Sequence, residues 1–280
     1  MGRVSAPGEA MRVFFDGRVR EWEADRYADE TYVGRGRVAL GWLRRMGRGK
    51  RVLDVGCGAG HQALAAAHAG DRVVAMDFSP AMAAAALARL RREAPGAPAA
   101  VVVADACHLP FRDGAFDAAV ALGVLGFVPD RPAMLAEAAR VLAPGGELVC
   151  DAGVPEERVL LTRAGRLLGR PFEIAAALLR RLSGRPAPVE GEVGWYHRNF
   201  TKHAPAELEA LVRGAGFRPV ARGGAGFGDL RAAGVPLLPW RMQNRLAAVL
   251  SRASVLPGGG PLARHALTYL VRAVRAAPEG

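Results

Sequence analysis

Three glycines at alternate positions, Gly56, Gly58 and Gly60, follow the short apolar run Val52-Leu53-Asp54-Val55. A turn stripped of side chains at every second residue lets a ligand press on main-chain N–H groups. A second apolar run, Arg72-Val-Val-Ala-Met-Asp77, places a carboxylate twenty-one residues past Gly56. That is close to the spacing at which an acidic side chain accepts hydrogen bonds from a ribose. Together the two stretches predict a site for a nucleoside-containing ligand.

These residues need a scaffold that aims them at one point. From Arg51 to Asp151 short Val/Ala/Leu runs alternate with longer alanine-rich segments, the pattern of βαβ units building a parallel sheet. Strands are predicted at 51–55, 72–76, 100–104, 116–122 and 146–151, with helices at about 60–69, 80–93 and 130–142. Ser79-Pro80 supplies an N-cap and a first-turn proline, and Asp130 caps the next helix. Pro144-Gly145-Gly146 then stops that helix and turns the chain into a strand.

Residues 31–47 form a further helical pattern, preceded by a polar, aromatic stretch with Trp22, Tyr27 and Tyr32. After Asp151 the alternation lapses into a Leu- and Arg-rich helical insertion over 155–198. It resumes with a helix at about 204–215 and a strand at 217–224, then a second, irregular insertion over about 226–262. The apolar finish, 266–274, fits strand or helix. The chain therefore divides into an N-terminal helical cap (1–50), a core (51–152), a lid insertion (153–200) and a C-terminal return to the core (201–280).

A chain of 280 residues, 51% of them hydrophobic, can bury a full core. Its three cysteines are isolated and lack metal-ligand spacing, so they read as small buried hydrophobes in a reducing cytoplasm, and no metal site is expected. The N-terminus carries no apolar signal core, and no apolar run approaches a membrane span. The net charge of +11 is uneven: residues 1–152 hold 19 Lys+Arg against 18 acids, and residues 153–280 hold 19 against 9. Codon bias toward arginine would not confine the excess to one half.

Three further stretches fall in order: Val103-Ala-Asp105-Ala106-Cys-His-Leu-Pro-Phe111, then Phe116-Asp-Ala-Ala-Val-Ala-Leu122-Gly123-Val-Leu125, then Arg140-Val-Leu-Ala-Pro-Gly-Gly146. With the glycine turn and Asp77, the set resembles class I S-adenosylmethionine-dependent methyltransferases, particularly the small-molecule type that includes ubiquinone and menaquinone biosynthesis enzymes. The likeness covers residues 27–152 and resumes at Phe200-Thr-Lys-His-Ala-Pro and Ala215-Gly-Phe217. It implies an α/β, Rossmann-like, seven-stranded, mostly parallel sheet with helices on both faces and helical lid insertions. The spacing G-x-G-x-G agrees, since it differs from the G-x-G-x-x-G that seats a dinucleotide pyrophosphate, and S-adenosylmethionine has no phosphate.

By resemblance, the methionine part of that cofactor would lie over Gly56, Cys57, Gly58 and Gly60, with Asp54 near its amino group. Asp77 would take both ribose hydroxyls, and Phe78 and Met82 would pack on the adenine. Asp105 and the backbone of Ala106 would meet the adenine edge, and Leu122 and Gly123 would border the sulfonium. Tyr27, Tyr32 and Arg35 are placed to close over the site, Arg35 against the methionine carboxylate. Methyl transfer needs chiefly alignment and water exclusion. His197, Tyr196 and His203 are weak candidates for a base where one is required. Plainer readings stand beside these: Asp77 as a helix cap, Asp105 as a satisfier of loop amides, Cys57 facing inward, and Asp113 and Asp117 as turn formers.

The expected partner is a small-molecule methyl acceptor, lipophilic or polyketide-like. A nucleic-acid methyltransferase is disfavoured, because strand four continues Ala121-Leu-Gly-Val-Leu-Gly-Phe-Val128 without an Asn/Asp-Pro-Pro-aromatic turn. A non-catalytic protein that retains the cofactor fold is a third reading, in which an intact glycine turn with both acids disfavours lost cofactor binding; a nicotinamide-dependent oxidoreductase is a fourth, and the glycine spacing together with Asp105-Ala106 argues against it. The basic insertion with Leu160, Phe172 and Trp240 reads first as a lid and second as a peripheral contact with an anionic membrane surface. The isolated cysteines and the lack of a signal core lead to an expected cytoplasmic location, peripheral at the membrane under the second reading.

Overall fold

The computed structural model describes residues 6–24, 30–164, 167, 200–227, 231–232, 235–236 and 238–276. Tyr27, Phe172, Tyr196 and His197 lie outside the described residues. Helices α1 (Ala6–Asp16), α2 (Val19–Ala24) and α3 (Glu30–Leu43) precede strand β1 (Arg51–Val55). There follow α4 (His61–His68), β2 (Arg72–Asp77), α5 (Pro80–Glu93), β3 (Ala99–Val103), β4 (Phe116–Ala121), α6 (Arg131–Val141) and β5 (Leu142–Gly153). The chain ends in α7 (Pro205–Gly214), β6 (Phe217–Ala225), α8 (Trp240–Ser254), α9 (Gly260–Ala263) and β7 (Thr268–Arg275).

Seven strands form one sheet in the order β3-β2-β1-β4-β5-β7-β6, parallel except where β7 runs against both β5 and β6, and Arg231–Ala232 pairs with Val235–Pro236 in a separate two-stranded ribbon. Reversal of strand order at β1 and β4 creates the crevice at which open α/β sheets bind ligands. Alternate residues of each central strand serve opposite faces. Val52, Val73, Ala75, Val120 and Leu270 pack against α3, α4 and α5, while Leu53, Met76, Ala119, Leu148 and Val271 pack against α6 and α7. Both faces are covered, so these strands read as continuous apolar runs.

Most of the helical insertion expected over 155–198 lies outside the described residues; the other expected strands and helices are present, with three differences. The polar stretch before residue 30 holds two helices. Strand β5 begins at Leu142, directly after α6, and absorbs Pro144-Gly145-Gly146 as a bulge: Phe116 pairs with Leu142, whereas Ala118 pairs with Glu147. The second insertion is not irregular, since α8 fills fifteen residues of it. Its arginines break the apolar run, but its buried positions Gln243, Ala247, Ser251 and Ser254 recur every three or four residues. The ambiguous finish, 266–274, is strand β7. Among the described residues no helix is long and apolar enough to cross a membrane.

An ionic cluster around the buried Glu209 fastens α7 to the antiparallel edge. The Glu209 carboxylate accepts from Tyr269 Oη at 2.7 Å, from Arg222 Nε and Nη2 at 2.8 Å each, and from Arg213 Nη2 at 2.6 Å. Those donors, Arg222 first, hold its pKa down at about 2 against the resistance of burial. A carboxylate depressed in the folded state contributes stability that is complete above its unfolded pKa and lost as pH falls through the folded value. Acid unfolding should therefore show a loss of about 3 kcal/mol between about pH 4.5 and pH 2. Glu209→Gln should remove that part of the pH dependence and lower stability at neutral pH, which denaturant titration across pH would measure.

Candidate functional site

The turn between β1 and α4 has left-handed backbone at all three glycines, with φ of 66° at Gly56, 51° at Gly58 and 81° at Gly60. Two of them also permit close packing. A Cβ on Gly56 would stand 2.3 Å from Val124 Cγ2, and one on Gly60 would stand 2.9 Å from Ala86 Cα. Gly58 differs, because a Cβ there would meet nothing within 4 Å. It lines a cavity instead. The turn is tied down by the Cys57 amide donating to Met76 O at 2.8 Å and the Gly58 amide donating to Asp77 Oδ2 at 2.8 Å.

That cavity, of about 740 Å³, lies over the carboxyl ends of β1, β2 and β4. Gly56, Gly58, Asp77, Phe78, Met82, Asp105, Ala106, Leu122 and Gly123 all line it. Asp54, Cys57, Gly60, Tyr32 and Arg35 do not. The Cys57 thiol is buried beneath the turn and burial pushes its pKa well up, which leaves it an inert small hydrophobe. His203 also lies off the cavity, with its amide on Gly153 O at 2.8 Å. Burial and then Arg131 push its pKa below the usual histidine value.

Three carboxylates surround the crevice, Asp54 and Asp151 buried and Asp77 half-buried, and each differs in its partners. Asp77 accepts from Gly58 N through Oδ2 and from Ser79 N through Oδ1 at 2.9 Å, so it does cap the turn into α5. Burial still raises its pKa. Asp54 sits below the glycine turn, 3% exposed, with its Oδ2 lacking any hydrogen-bond partner among the described residues. Burial raises it to about 7, against the pull of the Ala63 amide and with a smaller push from Asp77. Asp151, at the end of β5, accepts from Gly123 N at 2.6 Å and faces Arg35 Nη1 at 3.4 Å. Burial raises its pKa despite that arginine.

Asp105 is half exposed and accepts from Cys107 N at 2.9 Å, the loop-satisfying role. Its loop is held from α6: Glu137 accepts from Leu109 N at 2.7 Å, and Arg140 donates to Leu109 O and Phe111 O at 2.9 and 2.8 Å. Asp113 pairs with Arg140, and Asp117 with Arg51, so both are structural.

Sequence reasoning missed the roof. Met11, Arg12 and Phe15 of α1 and Trp22 of α2 line the cavity from above, and Phe127, Val128 and Pro129 line its far side. Phe15 meets Phe127 edge-on at 5.1 Å, Phe127 leans on Phe200 at 4.9 Å, and Trp22 meets Tyr32 edge-on at 5.9 Å. Asp16 at the end of α1 fastens the roof to α5, accepting from Ser79 Oγ at 2.5 Å and Ala81 N at 3.3 Å. The apolar spacing Met11, Phe14, Phe15 was the available signal. Arg35, buried behind Gly123 with its guanidinium 4.5 Å over the Tyr32 ring, finds its carboxylate in Asp151.

A reversed strand order, a bare glycine turn and acids at consecutive strand ends define a nucleoside-binding α/β site. Residues 53–150 match the family model described as a methyltransferase domain. The demethylmenaquinone methyltransferase of Thermus thermophilus is 47% identical over 103 residues, 36% of this chain and 46% of that protein. That of Mycolicibacterium vanbaalenii is 40% identical over 172 residues, 61% of this chain and 69% of that protein. The chain spans about half the length of the first of these relatives. Among solved structures, magnesium protoporphyrin IX methyltransferase from Synechocystis PCC 6803 has the same fold, with a TM-score of 0.60 at 16% identity over 96% of this chain and 100% of that one. The chain belongs to the class I S-adenosylmethionine-dependent methyltransferases of the small-molecule type.

The residues present fit that cofactor: Gly58 presents bare peptide to the cavity beside Asp77, and the unpartnered Asp54 oxygen lies beneath the same turn. Gly60→Ala should cost about 2 to 4 kcal/mol, from left-handed strain plus overlap with backbone. Gly58→Ala should cost only about 1 kcal/mol yet weaken S-adenosylhomocysteine binding more strongly. Thermal unfolding with and without that ligand separates the two effects.

Proposed function

We propose that the protein transfers a methyl group from S-adenosylmethionine to a small acceptor with a flat, apolar body. The single observation that carries this reading is the cavity itself. One wall offers bare peptide and carboxylates suited to a charged nucleoside, and the opposite wall is aromatic and aliphatic. The relatives named above act on demethylmenaquinone, and the structural neighbour on magnesium protoporphyrin IX. Such an acceptor would be met at a membrane surface.

When bound, the cofactor supplies a methyl group on a sulfonium that leaves as a neutral thioether. In this assignment Asp77 holds the ribose hydroxyls, Phe78 and Met82 hold the adenine faces, and Asp105 with the Ala106 amide reads the adenine edge. Asp54, below the turn, balances the ammonium. Leu122 and Gly123 border the reacting centre, and Gly123 is fixed there by Asp151. Phe15, Trp22 and Phe127 exclude water and align the acceptor ring, so orientation contributes the larger share of catalysis.

Asp77→Ala should weaken S-adenosylhomocysteine binding more than about tenfold in isothermal titration, because two hydrogen bonds to a charged acceptor are lost. Unchanged affinity, or tighter binding of NAD, would show the site misassigned. A second outcome follows from Asp54, which titrates near 7. An ammonium binds the ionised carboxylate, so affinity should rise as pH increases through about 7 and then level off. Asp54→Asn should flatten that profile.

A further inference from the structure

Helix α8 turns an unusual face outward. Its inner residues Gln243, Ala247, Ser251 and Ser254 are buried, and Ser254 Oγ accepts from Gly224 N at 2.9 Å, which fixes the helix on β6. On the outer side Met242 and Val249 stand seven residues apart, with Leu256 seven further on, just past the helix end. They are 52%, 60% and 62% exposed. Seven residues make two helical turns, so Met242 and Val249 share one side of the helix, and Leu256 adds a third exposed apolar side chain just past its end. These are three of the seven large hydrophobic side chains exposed among the described residues.

Arg241, Arg245 and Arg252 run beside that apolar side, all exposed. Their side chains make no hydrogen bond or ion pair among the described residues. The helix contains no acid, and between Glu209 and Glu279 the chain has ten arginines against one acid, Asp229. An apolar side with a basic border fits a surface that is negative at its rim and apolar just beneath. Phosphates of a nucleic acid would satisfy the arginines but leave Met242, Val249 and Leu256 in water.

The segment also lies on the correct side of the sheet. Thr268 pairs with both Ala225 and Gly153, so the connection carrying α8 leaves β6 at the carboxyl edge, where the cavity lies.

We propose that α8 is the docking face for an anionic lipid surface, with Met242, Val249 and Leu256 entering the interface and Arg241, Arg245 and Arg252 pairing with lipid phosphates. The proposal deepens the methyl-transfer reading and rests on it only for the advantage of meeting a lipophilic acceptor there.

The test is flotation of the full chain with vesicles of phosphatidylcholine, alone or mixed with phosphatidylglycerol, at low and high salt. The chain should float with the mixed vesicles, not with phosphatidylcholine alone, and release as salt rises. Replacing Arg241→Glu, Arg245→Glu and Arg252→Glu together should weaken flotation about a hundredfold, from roughly fivefold per arginine. Met242→Ser, Val249→Ser and Leu256→Ser together should weaken it at least about tenfold. Both variants should keep their affinity for S-adenosylhomocysteine, which shows that they fold.

Absence of flotation, or flotation that ignores both triple variants, overturns the proposal. So does a dimer in sedimentation that the serine variant dissolves, which assigns these side chains to a second copy, or retention on RNA lost in the glutamate variant while flotation persists. Flotation without S-adenosylhomocysteine binding upholds the docking face and removes the methyl-transfer reading.

Discussion

The cavity depends on one hydrogen bond across neighbouring strands, from the Gly58 amide to the Asp77 carboxylate. A turn of three left-handed glycines has no side chains to hold it and loses more freedom on folding than any other sequence would. Asp77 fixes its middle residue, and the carbonyl of Met76 fixes the residue before. Main chain can then form the wall. Val124 and Ala86 close against Gly56 and Gly60 from either side, and only the space above Gly58 remains open.

Around this wall the molecule concentrates negative charge that burial makes costly. Asp54, Asp77 and Asp151 are all pushed upward in pKa by desolvation. Asp77 recovers part of that cost from two amides, and Asp151 from an amide and Arg35. Asp54 keeps an unpartnered oxygen. An isolated buried carboxylate is among the more expensive groups a fold can retain, so the arrangement favours a ligand that brings its own positive charge. The chain as a whole is cationic at +11, yet the crevice is lined by acids. The excess basic charge resides in the second half, on surfaces such as that of α8.

Much of this was legible in the residues. Strand periods, the Ser79-Pro80 and Asp130 caps, and the glycine spacing are local signals, and the sheet and the turn followed from them. The position of Asp77 was also readable, because a strand end fixes it. What escaped depends on contacts distant in sequence. Asp151 looked like the last residue of a strand until Arg35, 116 residues earlier, came to face it. Helix α1 reads weakly alone and acquires its role from Phe127 and Ser79. Helix α8 was hidden by its arginines, which interrupt the apolar run while leaving the buried stripe intact. Asp105 shows the opposite case, since its loop-satisfying contact is what its own short turn dictates.

The fastening of Asp16 has a consequence for selectivity. In the first turn of α5, Ala81 donates to Asp16, Met82 to the Ser79 hydroxyl and Ala83 to the Ser79 carbonyl, while Pro80 has no amide hydrogen to offer. A helix start of this kind ordinarily welcomes an anion, but here its donors are already engaged by the protein's own carboxylate and hydroxyl. A polyphosphate tail would find no free amide at this terminus and would lie beside the Asp77 carboxylate.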